Sequence, residues 1–303
     1  MRVLALRAGR ALRRMTLSAA TLLLGMAPTV FAGGMCAVAS TPAYIEAAVA
    51  DPSRSDADRQ HDAHRKPAEI IAFAGIKPGD KVADFMPGAG YFTRILCKVV
   101  GDAGHVYAIA VPRAGSTLPR EGSPPTSAPS QSAPAEAPAP GSQACTNVTP
   151  SSLKMRLIPA PELHDDGDPG WVYEYWSSSP AAENFTAPEP LDAIWASENY
   201  HDLHSKAFGS PDMLVVNKAL LAALRSGGIL MIEDHAAVPA SRARDTPALH
   251  RIGTDWVKQE VIAAGFELIG ECKVLHHIDD THTAHALDTP DSTDRFVLKF
   301  RKP

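Results

Sequence analysis

Three short stretches hold the residue types whose spacing could do chemistry. In KVADFMPGAGY, Lys81 to Tyr91, the carboxylate of Asp84 is followed by Gly88 and Gly90. Glycines let the backbone turn sharply and approach a ligand, and a helix starting behind them offers free N–H groups and the positive end of its dipole. That is ligand-binding chemistry. The second stretch is Asn199-Tyr200-His201-Asp202-Leu203-His204, and the third is GILMIEDH, ending in Glu233, Asp234 and His235. An imidazole beside carboxylates can take a proton from a reacting hydroxyl. A fourth, histidine-rich run holds His276, His277, His282 and His285. It has no i, i+4 pair and no carboxylate ligand pattern, so it reads as a solvated hairpin loop rather than a metal site.

The elements that must position these groups follow from apolar spacing. Val82 to Phe85 reads as a buried strand, Tyr91 to Val100 as a helix and Gly104 to Val111 as a second strand, a βαβ unit of about 30 residues. In open α/β sheets the ligand lies beyond the carboxyl ends of the strands, where strand order reverses. A ribose-binding acid would fall at Ala110, where there is no carboxylate. Leu153 to Pro159 reads as a third strand, Leu191 to Trp195 as a fourth and Gly228 to Asp234 as a fifth. The last two deliver His201 and His235 to neighbouring carboxyl ends. A helix is expected from Pro211 to Leu224, ended by Gly227 and Gly228, and another from Thr254, as its cap, to Ala264. Phe266 to Leu275 and Arg295 to Phe300 alternate as two final strands. Upstream, Thr41 to Lys66 is polar and charged, and Pro67 to Ala74 has helical spacing closed by Gly75, reading as a lid or flank beside the glycine turn or as plain packing of a first helix. Glu162, Asp165, Asp166 and Asp168 read as a solvated acidic loop. Trp171, Tyr173, Tyr175 and Trp176 read as a flap over the crevice or an anchor for the loop.

A chain of 303 residues, 45% hydrophobic, can bury one good core, and its net charge of −5 argues against a general nucleic-acid binder. Arginines at 2, 7, 10, 13 and 14, an apolar run from Met15 to Phe31 and a cleavage pattern ending at Ala32 or at Ala39 make residues 1–39 an export signal, with an uncleaved membrane anchor as the competing reading. Residues 40–303 are then one domain, exported to the periplasm or held at the inner membrane. Within it, residues 112–149, rich in Pro, Ser and Ala, bury too little apolar surface to fold and read as a disordered insertion. The four cysteines, Cys36, Cys97, Cys145 and Cys272, have no zinc spacing. One disulfide, for example of Cys145 with another, is open, and its pairing is not read from spacing.

Strand, glycine turn and helix near the start, alternating strands and helices, and the C-terminal AAGFELIGE and RFVLKFRKP together resemble the class I S-adenosylmethionine-dependent methyltransferases. GIKPGDKVADFMPGAGYFTRIL, NYHDLH and RFVLKFRKP are similar, more closely, to a bacterial group of predicted exported methyltransferases. The resemblance covers about Lys66 to Lys302 apart from the proline-rich insertion. It implies a doubly wound, Rossmann-like α/β fold with a seven-stranded sheet whose last strand is antiparallel, and S-adenosyl-L-methionine as cofactor. By position, Asp84, Gly88, Gly90 and Ala110 would bind that cofactor, and Asn199 and Tyr200 would shape the pocket of a small-molecule acceptor. His201 would be the base, oriented by Asp202 or Asp234, with His235 as runner-up. Two departures stand out. Met86 replaces the first glycine of the motif, and without an acid at Ala110 a charge-assisted ribose contact of about 1.5–3 kcal/mol is lost. The alternative function is a catalytically silent metabolite-binding module on the same fold. A nicotinamide-dependent oxidoreductase lacks its third glycine here, and no GxSxG elbow supports a serine hydrolase.

Overall fold

The computed structural model describes Cys36, residues 40–109, Val111, the backbone of 156–159 and 171–174, Ala182 and residues 185–303. Three helices, α1 (Ala43–Val49), α2 (Asp56–Arg65) and α3 (Pro67–Ala74), precede β1 (Lys81–Phe85), α4 (Tyr91–Val100) and β2 (His105–Ile109). After β3 (Arg156–Pro159) and β4 (Trp171–Glu174) come β5 (Leu191–Ser197), α5 (Met213–Ala223) and β6 (Leu224–His235). The chain closes with α6 (Thr246–Leu249), α7 (Thr254–Ala263), β7 (Glu267–Cys272) and β8 (Arg295–Arg301).

The bounds of α4 are set by its neighbours. Gly90 enters it at φ 80°, left-handed backbone that a side chain would strain, and Gly101 leaves it at φ 62°. Between them Phe92, Ile95, Leu96, Val99 and Val100 form one buried stripe against the sheet. β1 and β2 are buried on both faces after their first residue, as parallel strands covered by helices must be. On β5 the pleat divides the core in two. Ile194 and Ala196 pack with residues of α5 and α7, while Ala193 and Trp195 pack with α1, α3 and α4.

The main sheet runs β2-β1-β5-β6-β8-β7. β1, β2, β5 and β6 are parallel, and β8 is antiparallel to both β6 and β7. The antiparallel last strand matches the expectation, but among the described residues the sheet has six strands, not seven. Among the described residues β3 pairs with β4 alone, antiparallel, in a separate two-stranded sheet. Apolar alternation marked this segment as extended, but alternation carries no information about which edge a strand joins. Two boundaries also move. Gly253, not Thr254, is the N-cap residue of α7, and β6 begins four residues before Gly228 because Leu224 already pairs with Leu191. Strand order reverses between β1 and β5, so their carboxyl ends are where a doubly wound sheet takes its ligand.

A disulfide joins Cys36 to Cys272 at the end of β7, and Cys97 is a buried thiol on α4. The suggested partner Cys145 lies outside the described residues, as do residues 1–35, Ala110, residues 112–155 and the acidic loop. Of the aromatic cluster, only the backbone of Trp171 and Tyr173 is described. Among the described residues no helix is long and apolar enough to cross a membrane.

Candidate functional site

The turn after β1 holds three residues in left-handed backbone: Met86 at φ 57°, Gly88 at 56° and Gly90 at 80°. For Met86 this conformation costs on the order of 1–2 kcal/mol, and the surroundings hold it there. Its N–H donates to Ile109 O at 2.6 Å. Asn199 Nδ2 donates to the carbonyls of Phe85 at 2.7 Å and Met86 at 2.8 Å. Asn199, expected in an acceptor pocket, thus clamps the glycine turn to the loop after β5. Its Oδ1 is buried and has no hydrogen-bond partner. A Cβ on Gly88 would meet nothing within 4 Å, so the turn is open on that side.

Asp84 lies beneath the turn, 2% exposed, accepting from Thr93 Oγ1 of α4 at 2.5 Å. Burial lifts its pKa to about 7, and Thr93 and Arg94 pull back only part of that rise. Helix α2 covers this region through charge. Asp58 accepts from Arg94 Nε and Nη2 at 2.7 and 2.6 Å, and Asp62 accepts from Tyr91 Oη at 2.5 Å.

On the other side of Asn199 a short 3-10 turn, His201–His204, follows β5. His201 is 2% exposed, and its Nδ1 lies 2.7 Å from Asp234 Oδ1 at the end of β6. Asp234 also accepts the backbone N–H groups of His201 and His235, both at 2.8 Å. These bonds with the neighbouring His201 hold Asp234 below the usual carboxylate range, although burial, the largest single influence, works upward. An ionised carboxylate only accepts, so Nδ1 of His201 carries a proton. In return Asp234 raises the pKa of His201 against the opposing effect of burial. His201 Nε2 faces His250 Nδ1 at 3.1 Å and Asp202 Oδ1 at 3.4 Å. Asp234, not Asp202, is therefore the orienting partner. The sequence reading missed His250, which caps α6 at φ 49° and reaches the site from 49 residues away.

His235 is turned elsewhere. It is 2% exposed, its Nδ1 is 2.9 Å from Thr293 Oγ1, and burial is the main cause of a pKa of about 4. Tyr200 is fully buried in the core facing α5 and α7, where Asn217 Nδ2 donates to its hydroxyl at 2.8 Å. It props the site rather than lining a pocket. Beside the histidines, Arg295 donates to Glu198 at 2.6 Å and to Glu233 at 3.2 Å, and Arg65 of α2 donates to Glu198 at 2.6 Å. Glu198 sits in left-handed backbone at φ 54°. Burial would raise both acids. The two arginines bring Glu198 below its ordinary value, while burial and the charge of Glu198 leave Glu233 above it.

The histidine-rich loop folds on a carboxylate. His276 and His282 both bond Asp294, at 2.7 and 2.9 Å. A cavity of about 480 Å³ beside them is lined by His276, His277 and Asp280, and His285 of the same loop packs its ring on His250, with ring centroids 4.7 Å apart.

No family model and no curated protein matches the chain. Solved structures do. A SAM-dependent methyltransferase from Aquifex aeolicus aligns with a TM-score of 0.43 at 16% identity, over 82% of this chain and 95% of its own. The N-methyltransferase NodS from Bradyrhizobium japonicum WM9 aligns at 0.42 and 13%, over 82% and 99%. The [4+2]-cyclase SpnF aligns at 0.43 and 14%, over 84% and 85%. At these scores the fold rests on the strand order of the chain itself.

The residues present fit the aminoacyl end of S-adenosylmethionine. Asp84 is a buried carboxylate short of cationic compensation, and Asn199 Oδ1 is a buried acceptor with no donor, so a ligand ammonium would satisfy a real deficit.

Proposed function

We propose that this protein carries out S-adenosylmethionine-dependent methyl transfer to a small-molecule acceptor. The observation that carries the proposal is Asn199, which ties the glycine turn after β1 to the His201 loop after β5 at the point where strand order reverses. That link supports reading the turn as ligand-binding and the His201 cluster beside it as proton-accepting. Asp84, Gly88, Gly90 and Asn199 would hold the cofactor, which supplies an electrophilic methyl group. On the acceptor side, Asp234 fixes His201 with Nε2 toward Asp202 and His250. A hydroxyl acceptor loses its proton to this cluster, with His250, one third exposed, its outward member. The depth of His201 favours one second reading, a binding module without turnover on the same frame.

The Cys36–Cys272 disulfide supports residence in an oxidising compartment such as the periplasm. It also supports a processing point near Ala32 rather than Ala39, since only the former keeps Cys36 with the domain.

The test is calorimetric titration of the full chain with S-adenosylmethionine and S-adenosylhomocysteine, with NAD as control. Micromolar binding of both sulfur ligands and none of NAD is expected. Well-folded protein that binds neither would overturn the proposal. Once an acceptor is found, His201→Ala is expected to lower turnover at least a hundredfold. Cofactor binding with no turnover on any acceptor would favour the second reading.

A further inference from the structure

We infer that His201 Nε2, His250 Nδ1 and Asp202 Oδ1 form a binding site for one divalent transition-metal cation. The three atoms come from separate places, the 3-10 turn after β5 and the end of α6, and lie within 4.8 Å of one another. Their separations are 3.1, 3.4 and 3.8 Å. A triangle with these edges has a point about 2.0 Å from all three corners, the bond length of such an ion to imidazole nitrogen and carboxylate oxygen. Two imidazoles and one carboxylate are also a set that first-row divalent ions favour over Mg²⁺ or Ca²⁺.

A second observation points the same way. A histidine ligand normally donates its other ring N–H to a carboxylate, which fixes the tautomer and aims the free nitrogen. His201 does this with Asp234, which is 0% exposed and is itself held by two backbone N–H groups. With Nδ1 spent on Asp234, Nε2 is the ring nitrogen left to face His250 Nδ1 and Asp202 Oδ1. The inner ligand is buried, whereas Asp202 and His250 are 24% and 33% exposed, so the outer coordination positions open away from the core. The histidine-rich loop, which sequence alone would nominate first, spends His276 and His282 on Asp294 instead.

Metal binding here does not depend on the methyl-transfer proposal. If both hold, the cation uses the nitrogen lone pairs that would otherwise take the acceptor's proton, and an oxygen of the acceptor takes an open position on it instead.

The test is equilibrium dialysis of the full chain against Zn²⁺ and Co²⁺, without S-adenosylmethionine, with the Co²⁺ absorption spectrum as a readout of coordination. One equivalent is expected. His250→Ala and Asp202→Ala, at partly exposed positions, should each weaken binding at least tenfold and change the spectrum, and Asp234→Asn should weaken it 10- to 100-fold. A His276→Ala, His282→Ala double variant should bind as the parent does. Folded protein that takes up no metal, or affinity unchanged by His250→Ala, would overturn the site, as would binding lost only in the loop variant. None of these outcomes bears on cofactor binding, which calorimetry reads separately.

Discussion

At the scale of single residues, Asp84 couples the fold to the proposed cofactor. Its pKa rises from 3.8 to about 7 on folding, chiefly through burial. The folded chain therefore holds a proton that the unfolded chain has already released between those values. Stability from this group is present in full below about pH 4 and is lost as pH rises through about 7, a swing on the order of 4 kcal/mol. Asp84→Asn, which can still accept from Thr93, should flatten that dependence and raise the melting temperature at pH 8; thermal melts from pH 4 to 8 check it, and an unchanged slope would remove the argument. Asp84, Gly88, Gly90 and His201 were legible in the sequence because their types and spacing are local. His250 and Arg295 were not, because they reach their partners His201 and Glu198 across 49 and 97 residues. Asn199 and Tyr200 were legible as neighbours of the site, but which way each side chain points is decided by packing, and it made one a clamp and the other a prop.

At the scale of elements, β8 matters because Arg295, its first residue, lies 2% exposed between Glu198 and Glu233 while also donating to the carbonyl of His64 on α2. Removing one partner of a buried charge cluster leaves the others uncompensated. Arg295→Ala should cost about 3–5 kcal/mol in denaturant unfolding, whereas Arg301→Ala, whose pair with Glu267 is half exposed, should cost at most about 1 kcal/mol. Equal costs would show that the cluster at the strand ends is not a structural keystone. The bounds of α4 were legible because Gly90 and Gly101 flank a clean apolar stripe, and β8 and β7 were legible from alternation. The partner of β3 was not, since a strand's period names its faces and not its neighbour.

At the scale of the whole molecule, the disulfide fastens the segment before α1 to the far edge of the sheet across 236 residues. Such a long loop places its contribution at about 2–5 kcal/mol, so Cys272→Ser should lower the unfolding midpoint, and reduction of the parent should do the same. Reduction without effect would sever the argument from the disulfide to an oxidising compartment. The central claim is that a cofactor sits on the glycine turn between β1 and α4, against the His201 loop. Hydrogen exchange on the full chain with and without saturating S-adenosylhomocysteine tests it most directly. Slowed exchange confined to residues 84–94, to 199–204 and to α2 above them is the predicted result. Protection confined to the 276–285 loop, or none anywhere, would contradict it.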